Sequence, residues 1–140
     1  MKILNVNGCR HHGNVPHDEV ATIQSAADVV VFVESLEDKH RYAARLSFST
    51  KLTDYFKRGK CIFAIGDETI APIEYLTEND AAIISTKYED IENQLRRLVE
   101  HPELLDVYGR KAFECGKRNH NEDLIRERFV STVKKAASKK

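Results

Sequence analysis

Two short stretches of this chain are apolar at every position: Val29-Val30-Val31-Phe32-Val33 and Cys61-Ile62-Phe63-Ala64-Ile65. A run of five, rich in β-branched and aromatic side chains and without polar alternation, reads as a strand covered on both faces. Such strands belong to parallel sheets, and parallel neighbours need crossover connections of a dozen or more residues, usually helical. The intervening segments have that character. Thr50–Lys57 is a short helix stopped by Gly59, and Thr69–Glu78 is a helix with Pro72 in its first turn. Tyr88–His101 carries Ile91, Leu95, Leu98 and Val99 at helical spacing. Pro102 then opens a helix with Leu104, Leu105, Tyr108 and Ala112 on one face, and Asn121–Ala137 is a last helix with Ile125, Phe129 and Val133 four apart. Ahead of the first run, Lys2–Val6 is β-prone, Asn7–Pro16 is loop, and His17–Ala27 is helical with Asp18 and Glu19 in its first turn. Ala81–Ile84 is a further short strand. The expected architecture is a Rossmann-like α/β/α arrangement with a parallel sheet of about four strands and a helical C-terminal tail.

Composition narrows the function classes. The chain has 140 residues, 41% hydrophobic and 31% charged, enough for one core and a solvated surface. Lys and Arg number 22 against 22 Asp and Glu, and this balance argues against a nucleic-acid binder. The longest apolar stretch is broken at Asp28 and falls far short of a membrane span. Met1–Val6 runs into Asn7-Gly8 without the long apolar segment of a secretory signal, so a cytoplasmic location is expected. Cys9, Cys61 and Cys115 form no C-x-x-C pair and read as packing thiols. His11, His12 and His17 lie close in sequence but lack a completing ligand, so no metal site is expected.

In open α/β sheets ligands bind beyond the carboxyl ends of the strands. Three loops qualify: Asn7–Pro16, Glu34–Ser49 and Gly66–Glu68. The sixteen-residue middle loop is long for a connection within a domain and ends in Ser49-Thr50-Lys51 at a helix start. Hydroxyls, free backbone N–H groups and a lysine there suit a phosphate, although Ser49 or Thr50 as an ordinary cap also accounts for them. Asp54 lies one turn on, where a carboxylate either accepts from a ribose diol or is merely solvated.

Three segments, His12–Val20 with Ala27–Val31, Ser49–Lys60, and Glu100–Leu105 with Gly109–Ala112, together resemble the sugar-donor half of GT-B glycosyltransferases. His12-Gly13-Asn14-Val15-Pro16-His17-Asp18-Glu19-Val20, with Ala27-Asp28-Val29-Val30-Val31 after it, is similar to a glycine loop and short helix preceding that family's "A-D-V" strand. Ser49-Thr50-Lys51-Leu52-Thr53-Asp54-Tyr55 through Gly59-Lys60 resembles its "P-S-K … E-Y … G-K-P" segment. Glu100-His101-Pro102-Glu103-Leu104-Leu105, with Gly109-Arg110-Lys111-Ala112, resembles its "D-P-E-L … G-x-x-A" helical pair. The likeness runs from about Asn7 to Val133, strongest toward the family 4-like transferases of surface-polysaccharide synthesis.

The resemblance implies a retaining transferase that takes a UDP- or GDP-sugar without a metal or other cofactor. Asp54 then stands at the ribose, and Ser49, Thr50 and Lys51 at the diphosphate. Gly13 and Val15 lie near the base. Catalysis would rest on electrostatic stabilisation of the departing nucleoside diphosphate. Two departures stand out. The family's Glu-x7-Glu pattern is absent, with Leu46 eight positions before Asp54, and the second glutamate is an aspartate. At 140 residues the chain corresponds to a single, incomplete C-terminal donor domain, so an N-terminal domain binding a saccharide or lipid-linked acceptor is expected to be missing. Low activity alone, an exposed sheet edge open to homo-oligomerisation, and peripheral attachment at the inner membrane face are further expectations. The alternatives are a GT-B-like nucleotide-sugar epimerase and a non-catalytic binding module that keeps the fold.

Overall fold

The computed structural model describes residues 8–37 and 45–138. The expected strand Lys2–Val6 lies outside them, as does the middle of the long loop. Both fully apolar runs are strands over the expected ranges, β1 at Val29–Val33 and β2 at Cys61–Ile65. They pair in parallel, Val29 beside Cys61 through Val33 beside Ile65. A third strand, β3 (Ile83–Ser85), pairs in parallel with β2, Phe63 beside Ile83 and Ile65 beside Ser85. The order is β1-β2-β3 among the described residues, three strands where about four were expected.

Helices alternate with these strands. They are α1 (His17–Ala26), α2 (Lys51–Arg58), α3 (Ala71–Glu78), α4 (Tyr88–Glu100), α5 (Glu103–Asn119) and α6 (Glu122–Ala137). Because side chains alternate across a strand, β2 feeds two cores. Ile62 and Ala64 join Val30 and Phe32 of β1 beneath Leu52 and Phe56 of α2, Ile73 and Leu76 of α3, and Ala112 and Cys115 of α5. Cys61 and Phe63 join Ile83 against Leu98 and Ile91 of α4, with Leu104, Leu105 and Tyr108 of α5 beside them. Helices on both faces of a three-stranded parallel sheet make a mixed α/β arrangement compatible with the Rossmann-like layering that the sequence implies.

Gly59 and Gly109 fix how α5 meets the sheet. Gly59 ends α2 with φ 61°, a left-handed conformation that costs glycine little. Its carbonyl oxygen lies where a Cβ on Gly109 would come within 2.5 Å. Only a residue without a side chain lets α5 pass this close to the α2–β2 turn.

Departures from the expected elements have local causes. Asp67 accepts from both the N–H and the hydroxyl of Thr69, and this turn delays the start of α3 to Ala71. Ala81 donates to the Leu76 carbonyl while Asp80 turns the chain at φ 48°, so β3 begins at Ile83. The buried face of α4 is narrower than its periodicity implies. Leu98 is buried, whereas Val99, a quarter-turn round, is 81% exposed. On β1, Val31 and Val33 are 49% and 62% exposed, because no helix among the described residues covers that side of the outer strand.

Candidate functional site

All three strands end at one edge. Glu34 N–H donates to the Ile65 carbonyl, and Gly66 N–H to that of Ser85, which carries the ladder one residue past the strands. Because β1 and β2 are parallel, α2 runs back from this edge, and its N-terminus with Ser49, Thr50 and Lys51 lies there. α1 ends three residues before β1 and packs against α2, with Gly13–Pro16 at its N-terminal end. The topology therefore brings the start of α2 and the turn at Gly66 to one edge among the described residues.

The local chemistry at α2 is specific. The Lys51 N–H donates to Ser49 Oγ at 3.4 Å, the Leu52 N–H to the Ser49 carbonyl at 3.2 Å, and the Thr53 N–H to the Thr50 carbonyl at 3.2 Å. The first amides of the helix are thus partly satisfied by a tightened turn, and the Ser49 hydroxyl acts as a local cap. As an acceptor there, Ser49 keeps its hydroxyl proton for another partner. Ser49 is half-buried, while Thr50, Lys51 and Asp54 are exposed. Lys51 and Asp54 are three apart and share one side of α2. Gly13 is exposed and Val15 half-buried, in the segment that enters α1.

The end of the long loop is fastened to the body. Arg45 offers its carbonyl to the Ala71 N–H at 2.9 Å, capping α3. The Phe48 ring meets Tyr75 edge-on at 5.2 Å and stacks near His120 at 5.9 Å. His120 also stacks on Phe56 at 5.2 Å, and its Nε2 is 2.9 Å from Tyr75 Oη. Tyr75 further accepts from Asn119 Nδ2 at 2.9 Å and lies 3.4 Å from Cys115 Sγ. Burial and the Cys115 contact push the Tyr75 phenol up to about 12, and burial pushes His120 below its ordinary value. This cluster holds Ser49-Thr50-Lys51 in place through the preceding Phe48. No periodicity rule marks it, since its members come from three helices and two loops.

A second polar group at the carboxyl edge is also missed by the sequence. Ser85 is buried at the end of β3, and its Oγ has no hydrogen-bond partner among the described residues. A hydroxyl closing an otherwise apolar run was the available signal. The three sequence-adjacent histidines, His11, His12 and His17, are exposed. Among the described residues no three His, Cys, Asp or Glu side chains gather as a metal site. No helix among those residues is long and apolar enough to cross a membrane. A groove beside α2 is lined by Thr53, Phe56 and Lys57 with Phe113, Lys117 and His120. No protein-family model, curated protein or solved structure matches the chain.

Proposed function

We propose that this chain is the nucleotide-sugar donor domain of a GT-B-type sugar transferase, binding a nucleoside diphosphate across the carboxyl edge of its sheet. The observation that carries the reading is the start of α2. There Ser49, Thr50 and Lys51 open a helix at the carboxyl edge, with Asp54 one turn along on the lysine's side. The Lys51 ammonium and the helix N-terminus favour the diphosphate, and the Ser49 hydroxyl proton reaches a phosphate oxygen. Asp54 accepts from the ribose diol. As the glycosidic bond breaks, negative charge grows on the departing diphosphate, and the same cation and helix terminus stabilise it. The three motif segments that resemble GT-B enzymes support this class of donor. The acceptor, a saccharide or lipid-linked sugar, is taken by a separate domain, in polysaccharide or glycoconjugate synthesis at the cytoplasmic side of a membrane.

One observation favours a second reading, a module that binds nucleotide without transferring sugar. Leu46 occupies the position of the family's first glutamate and is 89% exposed, so no carboxylate from that position reaches a donor sugar.

Calorimetric titration with UDP, GDP and inorganic pyrophosphate tests the site. One nucleotide is expected to bind with a Kd of about 0.1–1 mM, roughly 4–5.5 kcal/mol. Lys51→Ala should weaken nucleotide and pyrophosphate alike by about tenfold, the loss of one charge-assisted bond. Asp54→Ala should weaken the nucleotide but not pyrophosphate. No binding of either nucleotide, or indifference to both substitutions, contradicts the assignment.

A further inference from the structure

One acid at the carboxyl edge is both enclosed and unpaired. Glu34, the first residue beyond β1, is half-buried, yet its carboxylate makes no hydrogen bond or ion pair among the described residues. Its neighbours differ. Asp67 is turned onto Thr69, whose N–H and hydroxyl both donate to it, while Asp54 and Glu68 are exposed and solvated. Taking a carboxylate partly out of water without a partner is unfavourable. At an edge where ligands bind, such a group points to hydrogen-bond donors that arrive with the ligand.

The backbone fixes where Glu34 stands. Its N–H donates to the Ile65 carbonyl at 2.8 Å, and Ser35 Oγ accepts the Glu37 N–H at 3.1 Å, turning the chain just beyond it. Val30 and Phe32 face the core beneath α2 and α3, and alternation puts Glu34 on that same face. A Cβ built on Gly66 would lie 3.2 Å from Glu34 Cβ, 3.1 Å from Ile70 Cδ1 and 2.9 Å from Ile73 Cγ1. The side chain thus starts between β2 and the beginning of α3, in space that Gly66 leaves open. Tyr55 Oη donates to the Val31 carbonyl at 3.2 Å, which sets α2 level with β1. From that contact Lys51 lies about 6 Å toward the carboxyl edge along the helix. Glu34 lies about 10 Å in the same direction along the strand. The lysine and the free carboxylate therefore reach one edge of one face.

We propose that Glu34 reads the donor sugar. Its carboxylate accepts hydrogen bonds from hydroxyls of a neutral hexose carried on the diphosphate, and its charge rejects a hexuronate. This rests on the nucleotide reading of α2 and extends it from the diphosphate to the class of sugar. An ionised carboxylate is an acceptor only, so neighbouring hydroxyls of a neutral sugar satisfy it with charge-assisted bonds. A uronate would instead bring a second negative charge against it.

Calorimetric titration of the full chain with UDP, UDP-glucose and UDP-glucuronate, and with GDP, GDP-mannose and GDP-mannuronate, reads sugar separately from nucleotide. In the series whose nucleotide binds, the neutral donor is expected to bind about tenfold tighter than the uronate. Glu34→Gln keeps the shape and removes the charge. It should reduce that preference to about threefold or less and leave binding of the bare nucleotide unchanged. A second readout needs no variant. In 1H–15N NMR spectra of the wild type, replacing saturating nucleotide by its neutral nucleotide sugar should move the amides of Glu34, Ser35 and Gly66 further. Equal affinity for neutral and uronate donors overturns the role of Glu34 while the nucleotide site stands. So does a Glu34→Gln chain that keeps the preference, or one that loses bare nucleotide as strongly as nucleotide sugar. Absence of binding by either nucleotide removes the site itself, and the role of Glu34 with it.

Discussion

At the scale of single residues, His120 shows how a side chain outside any motif packs against the segment leading into the candidate site. Its imidazole lies between Phe48 and Phe56 with Nε2 on Tyr75, and burial disfavours its charged form. A histidine whose folded pKa is depressed binds fewer protons folded than unfolded. Its contribution to stability is therefore complete above the ordinary value of 6.5 and is lost as pH falls below it, levelling off under the folded pKa. Urea unfolding at pH 7.5 and pH 5.2 should show a lower midpoint at the acidic value, and His120→Gln should flatten the difference. Glu122 does not confuse that window. Its carboxyl is held below its ordinary value of 4.5 by Lys57, so its own effect begins at lower pH. A pH dependence unchanged in the variant would remove His120 from the account. None of this was legible in the sequence, where His120 follows Asn119 as an ordinary polar residue. Lys51 and Asp54 were legible, because spacing along a helix places them on one side whatever the rest of the fold does.

At the scale of elements, the sequence is read best where one kind of physics acts alone. The two all-apolar runs are strands end to end, because only burial on both faces accommodates them. Gly59 stops α2 as expected, since its left-handed conformation is a local matter. Boundaries slip where side chains compete with the backbone, as at Asp67 with Thr69, or where one element's cap takes the next element's first residue, as at Ala81. Faces are misjudged where the neighbour decides. Val99 lies on the apolar side of α4 by periodicity but outside the strip that the sheet covers. The approach of α5 is a further case, since Gly109 looks like a helix-weakening glycine. Replacing it by alanine should gain helix propensity by about 1 kcal/mol in isolation. Against the Gly59 carbonyl at 2.5 Å, however, the added methyl forces backbone to shift. The net expectation for Gly109→Ala is a loss of about 2 kcal/mol, or about 5–8 °C in Tm for a chain this size. A Tm equal to or above wild type in differential scanning calorimetry would mean that α5 is not seated on this turn.

The whole molecule joins a parallel sheet to a cationic helix start at its carboxyl edge, held there by an aromatic cluster. The fold class was legible because alternation of buried strands and amphipathic helices allows few other arrangements. The candidate site was legible only as a set of residue types. What places them is the fastening of Phe48 by Tyr75 and His120, and the tight turn that leaves Ser49 half-buried with Thr50 and Lys51 outside it. The most direct test of the central claim, that a nucleoside diphosphate lies over this edge, maps binding residue by residue. In 1H–15N NMR spectra of the full chain titrated with UDP and with GDP, one nucleotide should shift the amides of Ser49–Asp54, Gly13–Val15 and Gly66 together, along a single saturating curve. Amides of α6 should stay still. Shifts confined to the groove of Thr53, Lys57 and Lys117, or no saturable shift with either nucleotide at millimolar concentration, would contradict it.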